Sequence, residues 1–274
     1  MDVQTPNYAQ HRESGIAGTQ GVRRVADLLR AIASRGADGA RLVDLAIQCQ
    51  LERPTAHRML KALVAEGMVA RDPVTRRYRL GQLMFELGLA ADHPFRVREL
   101  CEPSLLRLAD RTGDTVFLTL RSGLDTVCID RKEGAFPIRT LTLDVGTRRP
   151  LGIGAGGLAL LLPLGDAEIG ELLAANAWRL GAYNGMRTGE VLRMVERSRK
   201  LGYALNDRQA TPGAMSIGLA MRNRYGAPYL AISLGAITTR MQAARQRELF
   251  AMLGSEARLL EQRLGSVEAA EAGG

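Results

Sequence analysis

From residue 22 onward, apolar side chains return at Val22, Val25, Leu28, Leu29 and Ile32, a three- and four-residue spacing that gathers them on one face of a helix. The glycines at 36 and 39 end that pattern. A second short helix is predicted from Arg41 to Gln48, burying Leu42, Leu45 and Ala46, and a turn over Cys49 to Glu52 follows it. A third helix opens around Pro54, whose missing N–H would find no partner in a first turn anyway, and closes before Gly67. Its apolar back is Ala56, Met59, Leu60, Leu63 and Val64; Thr55, Arg58 and Lys61 lie opposite, with His57 toward the flank. The period then shortens: Met68 to Leu80 holds two extended runs around Asp72-Pro73, the pattern of a β-hairpin. Three helices and a hairpin in this order have the shape of a winged helix-turn-helix.

Beyond residue 81 the pattern predicts a helix over Gln82 to Ala91, offering Leu83, Phe85, Leu87 and Leu89 for burial and interrupted by His93-Pro94. Another helix runs from Phe95 to Thr112. Thr115 to Arg121 and Thr126 to Arg131 are β-branched, apolar runs joined by a short turn, and Phe136 to Val145 reads as a third strand. Later strands are expected at Ala204, Met215 to Met221 and Pro228 to Leu234, and helices at Ala155 to Leu162, Ala167 to Ala174, Thr188 to Lys200 and Arg240 to Leu264. Strands and helices mix without regular alternation, so the expected class is α+β with a largely antiparallel sheet. The chain divides into a flexible N-terminal arm (1–20), a winged helix-turn-helix domain (21–81), a linker helix (82–94), an effector-binding and oligomerisation domain (95–266) and a flexible tail (267–274).

Charge sharpens the first half. The 274 residues carry a net charge of +8, and the stretch from Arg53 to Arg79 alone holds seven cations against two acids. An amphipathic surface helix with a solvated basic face would explain the helix by itself, and a charged edge strand would explain the hairpin. Together, a cationic helix front and a basic wing argue for a polyanionic partner, double-stranded DNA, with the helix in the major groove and the hairpin arginines on phosphates. Cys49, Cys101 and Cys128 stand far apart, with no metal-ligand spacing, and an odd count fits a reducing compartment. Residues 1–20 lack an apolar signal core and no apolar run reaches the ~18 residues of a membrane span, so the expected location is cytoplasmic, with no membrane partner.

The run Leu51-Glu-Arg-Pro-Thr-Ala-His-Arg-Met-Leu-Lys-Ala-Leu-Val-Ala-Glu-Gly-Met-Val69, followed by Arg77-Tyr-Arg-Leu-Gly81, resembles the winged helix-turn-helix of the IclR family of bacterial transcriptional regulators, and the resemblance extends over about Gly21 to Leu264. It implies an N-terminal DNA-binding domain, a linker helix that helps pair subunits, and a C-terminal GAF-like α/β effector domain, assembled as a homodimer or homotetramer. It places Arg53, Thr55, His57 and Arg58 at the DNA; the helical projection favours Thr55, Arg58 and Lys61, and the wing adds Arg76 and Arg77. By the same resemblance a pocket for a small organic acid is lined by Ala155 and Gly156 at a helix start, by Asn206 and Ser216, and by Ser233 and Gly235 on the last strand, with Ile138, Leu141 and Ala214 as apolar wall. Family members that bind small keto acids tend to have Asp at the position of Asn206, Cys at Ser216 and Ser at Gly235, so a different acid is expected here, in space left by the missing side chain at Gly235. Arg148, Arg149 and Arg208 are near in sequence and could supply a cation, or be ordinary surface arginines.

Gly152-Ile-Gly-Ala-Gly-Gly157 formally matches G-x-G-x-x-G. A dinucleotide site needs that motif between a strand and a helix of a βαβ unit, and here a second helix is expected next. No cofactor is expected. Ser216 and Ser233 have no histidine beyond His93 to form a triad, and the carboxylates are scattered, so the chain is not expected to be an enzyme. The alternatives to a ligand-controlled regulator are a sequence-tolerant DNA-binding protein without a sensor and, more remotely, a dinucleotide-dependent enzyme.

Overall fold

The computed structural model describes residues 18–90, 92–138, 140, 142–207 and 212–272. The chain separates into two compact units, Met1–Phe95 and Arg96–Gly274.

In the first unit α1 (Gln20–Ala33), α2 (Leu42–Gln48) and α3 (Arg53–Ala65) enclose a small core of Leu28, Ala31, Ile32, Leu45, Leu60 and Leu63. The backbone between α2 and α3 turns sharply because Leu51 donates its N–H to the Ala46 carbonyl, with Gln50 held at φ 52°. The wing is β1 (Val69–Arg71) against β2 (Tyr78–Leu80), in register Val69 with Leu80. Ala40 and Tyr78 exchange backbone hydrogen bonds, which sews the wing to the segment before α2. Two expected members of the apolar faces are misplaced: Val22, in the first turn of α1, is 72% exposed, and Val64 is 38% exposed, because its place on the helix has already turned past the packed face of Ala56, Leu60 and Leu63. The helix α4 (Gln82–Ala90) follows, with Phe85, Leu87 and Leu89 exposed within this single chain.

The second unit is built on a six-stranded, wholly antiparallel sheet of order β5-β4-β3-β8-β7-β6: β3 (Thr115–Ser122), β4 (Asp125–Lys132), β5 (Arg148–Pro150), β6 (Ala204–Asn206), β7 (Ala214–Arg222) and β8 (Pro228–Ile237). Alternation along each strand splits the sheet into two apolar faces. Val116, Leu118, Ile217, Ile232 and Leu234 pack on α5 (Asp92–Thr112) and α9 (Ala243–Ala272) through Leu105, Leu108, Leu249, Leu253 and Leu260. On the other side Ala204 and Ala231 join the helices α6 (Gly154–Ala159), α7 (Asp166–Leu180) and α8 (Thr188–Leu201) through Leu158, Leu173 and Val191. Because α6 and α7 follow one another with no strand between, the glycine run at 152–157 is not part of a βαβ unit.

Three expectations for this half are corrected. The described residues of 136–145 are not a strand: the edge partner of β4 is β5, and the carbonyls of Thr142 and Leu143 are taken by the side chains of Arg149 and Arg131 rather than by a ladder. His93-Pro94 does not separate the two helices, since α5 begins at Asp92 and a proline is tolerated in a first turn. The helix expected to stop at Ala174 runs on to Leu180, carried by the buried Asn176, Arg179 and Leu180.

Candidate functional site

Two regions stand out, one in each unit. In the first, α3 presents Arg53, His57, Arg58 and Lys61 outward, while Thr55 is half-buried beside Ala56. The wing turn is fixed by Asp72, whose carboxylate accepts the N–H groups of Val74 (3.0 Å) and Thr75 (2.7 Å). The Thr75 N–H and then its side chain hold that carboxyl below the usual carboxylate range, with Arg79 adding to the effect. Arg76 is exposed at φ 57°. Arg77 points elsewhere: its guanidinium donates to the Gly39 carbonyl at 3.0 Å and to that of Asp38 at 3.4 Å, which gives it a role in bracing the wing.

Between the start of α2, the start of α3 and the wing runs an open groove lined by Arg41, Arg53, His57, Arg71 and Arg76, with Leu42, Pro54 and Tyr78 as its apolar floor. Four arginines and a histidine without an acid in the lining form a strong positive strip, and Arg71 is held there over the Tyr78 ring at 5.7 Å. Arg71 is one of the hairpin arginines expected to reach phosphates, whereas Arg41 is a residue the sequence pattern did not single out for this surface. Arg41 precedes α2, and only the pairing of Ala40 with Tyr78 brings it beside the wing.

In the second unit a cavity of about 30 Å³ of room for water-sized bodies lies between the sheet and α6. Its lining includes Ala155, Gly156, Asn206, Ala214, Ser216, Ser233 and Gly235. The register explains the grouping. Asn206, Ser216 and Gly235 lie side by side across β6, β7 and β8, and Gly218, Ser233 and Phe117 form the next row. Two glycines let α6 down onto this floor. A Cβ at Gly156 would sit 2.8 Å from Thr119 Oγ1, and one at Gly218 would sit 2.9 Å from the Ala155 carbonyl oxygen. The first turn of α6 has no side-chain cap and borders the cavity.

Further wall comes from residues that the sequence pattern left aside, Phe117 and Thr119 on β3, Thr126 and Cys128 on β4, and Thr140, Thr142 and Leu143 on the following loop, and from Arg149 on β5, one of the three candidate cations. Because β5 and β6 are the two opposite edges of the sheet yet border one cavity, the sheet curls around it. Arg149 is half-buried, donates to the Thr142 carbonyl, stacks 5.8 Å from the Tyr183 ring and has no carboxylate partner among the described residues. Burial lowers its pKa from the ordinary guanidinium value, a shift that an anion in the cavity would oppose. Arg148 turns away, to Ser122 at 3.0 Å and Asp125 at 3.2 Å. Burial pushes the Cys128 thiol up to about 12, and its S–H donates to the Asp130 carbonyl at 3.4 Å, so it borders the cavity as an unreactive thiol.

Of the other expected wall residues, Ile138 is 58% exposed and does not line the cavity, because the loop carrying it is not a strand of the sheet. Leu141 and Arg208 lie outside the described residues. Gly235 leaves no spare room: a Cβ there would come within 3.3 Å of Phe117 and 3.7 Å of Thr140, which already close over it. Among the described residues there is no group of His, Cys, Asp and Glu that could hold a metal, and no helix long and apolar enough to cross a membrane.

A winged helix-turn-helix with a cationic groove, joined to a curled-sheet domain that encloses a small polar cavity, defines a DNA-binding regulator with a sensor-type domain. Known proteins agree. The model of the IclR helix-turn-helix domain matches residues 21–73, and that of the bacterial transcriptional regulator IclR C-terminal domain matches residues 90–261. The chain therefore belongs to the IclR family of bacterial transcriptional regulators. It is 26% identical over 229 residues to the HTH-type transcriptional repressor AllR of Escherichia coli (strain K12), covering 83% of this chain and 84% of that one. It is 27% identical over 205 residues to the HTH-type transcriptional regulator XynR of the same strain, covering 74% and 81%. Among solved structures, a putative IclR transcriptional regulator from Silicibacter sp. TM1040 superposes with a TM-score of 0.76 at 20% identity, covering 89% of this chain and 96% of that one. An IclR homologue from Microbacterium hydrocarbonoxydans, solved with 4-hydroxybenzoate, gives 0.68 at 21% identity, covering 90% and 100%. These relatives are regulators of transcription, not enzymes.

Proposed function

We propose that this regulator binds its operator through α3 and the wing, and that a small organic acid in the cavity of the second unit biases that binding. For DNA, Arg58, Lys61 and Thr55 on α3 read bases, with Arg53 and His57 at the entry to the groove and Arg76 on a phosphate. The acid-free cationic groove supports the assignment. Arg77 contributes by bracing the wing. For the acid, the observation that carries the reading is Arg149: a half-buried guanidinium at the cavity with no carboxylate of its own among the described residues. The solved relative with a bound hydroxybenzoate supports a ligand of that charge. Ala155, Gly156, Asn206, Ser216, Ser233 and Gly235 complete the ligand's surroundings, with Ala214 as apolar wall. Phe85 and Leu89, one helical turn apart and exposed on α4, support pairing of α4 with a second copy of the chain.

Footprinting on the DNA upstream of the gene tests the first half: wild type protects a defined site, and Arg58→Ala loses at least tenfold in affinity with an unchanged melting temperature. Full binding by that variant would remove Arg58 from the interface. Thermal unfolding against a panel of small acids tests the second. An acid at a hundred times its Kd stabilises by ~2.7 kcal/mol, and Arg149→Gln abolishes the shift. A panel without any shift would leave a DNA-binding protein that senses no acid.

A further inference from the structure

Among the described residues Val74 is the most exposed large apolar side chain, 88% open against 77% for Tyr225 and 72% for Val22. A lone exposed valine is ordinary; this one is distinguished by where it stands. It sits at the tip of the wing beside Thr75 and Arg76, which line the cationic groove together with Arg53 and His57 of α3. The tip therefore adjoins the surface assigned to DNA. It is also rigid: the Asp72 N–H donates to the Arg77 carbonyl and the Arg76 N–H to the Asp72 carbonyl, both at 2.9 Å, while the Asp72 carboxylate holds the N–H groups of Val74 and Thr75. The run Asp72-Pro73-Val74-Thr75 contains no cation. Two of the flanking arginines are occupied, since Arg77 donates to the Gly39 carbonyl and Arg71 lies over the Tyr78 ring. A tip built to hold phosphate would carry its charge at the end. This one ends in methyl groups, with Arg76 beside them.

Resting on the operator reading above, we infer that Val74 enters the minor groove beside the major-groove site of α3 and there selects A·T pairs over G·C pairs. In the minor groove both kinds of pair present acceptors, and G·C alone adds a donor, the guanine amino group, where adenine has only a C–H. Valine offers that amino group nothing to bond to. Packing it there strips the amino group of water and leaves a donor unpaired, whereas over adenine the methyls meet a C–H. The amino group also stands up from the groove floor, against a β-branched side chain that the closed turn keeps from swinging aside. Arg76 on a phosphate at the groove edge holds the tip in register without reading sequence itself. The wing thus contributes a preference of its own, separate from the major-groove contacts of α3.

Duplexes enriched from random sequence by the full-length protein supply its operator for the test. Fluorescence anisotropy then compares versions in which single A·T pairs are replaced by G·C or by inosine·cytosine. Inosine has the major-groove face of guanine without the amino group, so α3 cannot tell the two apart and a contact in the minor groove can. The expected result is one or two positions where G·C weakens binding roughly fivefold or more and inosine·cytosine restores it to within about twofold of A·T. Val74→Ser, whose hydroxyl accepts from the amino group, should cut that penalty to below about twofold, with the melting temperature and the slope of log affinity against log salt unchanged. A penalty that inosine does not relieve, or that Val74→Ser leaves intact, overturns the assignment. So does an operator that tolerates G·C at every position not read by α3. In each of these cases an enriched operator whose binding still depends on Arg58 leaves the DNA reading standing. If no sequence is enriched by the wild type, both fall.

Discussion

The cavity of the second unit depends on single atoms that are missing as much as on those present. Gly156 is the plainest case. It sits in the first turn of α6, and a methyl there would meet the Thr119 hydroxyl at 2.8 Å and the Thr119 Cβ at 3.1 Å. Both belong to a central strand that cannot retreat, so α6 would have to lift. Gly156→Ala is therefore expected to destabilise the protein by ~1–3 kcal/mol despite alanine's better helix propensity. The same change should weaken acid binding, because the uncapped first turn of α6 leaves its place at the cavity. Urea unfolding with a panel acid present and absent measures both. A variant as stable as the wild type would show that α6 is not pinned to the sheet by this contact. The opposite lesson comes from Gly235, where the family resemblance suggested vacated space. Phe117 and Thr140 fill it, so the ligand's room is set by the aromatic ring on β3 rather than by a missing hydroxyl on β8.

Whole elements show the same dependence on small fixtures. The wing is only two three-residue strands, and its turn rests on the Asp72 carboxylate accepting two N–H groups. Those bonds hold the Asp72 pKa below its ordinary value, so the turn gains stability that is fully present above the unfolded carboxylate pKa of ~3.9 and lost as pH falls through the folded value. Amide exchange at Val74 and Thr75 should accordingly speed up below about pH 4, and Asp72→Ala should show the fast exchange already at pH 7; protection that ignores both changes would deny the carboxylate this role. The helices and hairpin of the first unit were legible from residue periods because each packs one face on one small core: Leu28, Ile32, Leu45, Leu60 and Leu63 all recur at helical spacing and all are buried. The curled sheet was legible strand by strand, but the cavity's membership was not. The pairing of β3 with β4 slips after Leu118, so Leu118 faces Asp130 while Thr119 faces Cys128. That bulge sends Asp130 to the α5 side, where Arg98 and Lys132 each approach it at 3.5 Å, and leaves Cys128 and Thr126 on the cavity side. No alternation read from the chain alone can announce such a slip. Arg149 was one of three candidate cations but could not be told from the others, for a similar reason. It lies on a three-residue edge strand that the pattern had placed some residues earlier, so its sequence neighbour Arg148 looked equally suited, and only the β4 register turns one inward to the cavity and the other to Asp125.

At the scale of the molecule, the positive strip of the first unit and the cation of the second make separable claims. Arg41 and Arg76 border the groove without a base-reading position, so replacing either by alanine should lower affinity for operator and for unrelated DNA alike. Each replacement should flatten the plot of log affinity against log salt by about one phosphate's worth. Arg58→Ala should instead erode preference for the operator, and a slope unmoved by Arg41→Ala and Arg76→Ala would take the groove off the DNA backbone. The link between the units is a matter of thermodynamics before it is one of geometry. An acid held at Arg149 can alter operator binding only if it binds one of two states of the regulator more tightly. Whatever factor the acid imposes on operator affinity, the operator must impose on acid affinity. Titrating the acid into the free protein and into the preformed operator complex should therefore give two dissociation constants whose ratio equals the change in operator affinity at saturating acid. For a coupling of ~1–3 kcal/mol this is roughly 5- to 150-fold. Arg149→Gln should return both ratios to one while leaving operator affinity in the absence of acid untouched. Acid binding of equal strength to free and operator-bound protein would make the cavity a genuine ligand site with no say in DNA binding, and would separate sensing from regulation in this chain.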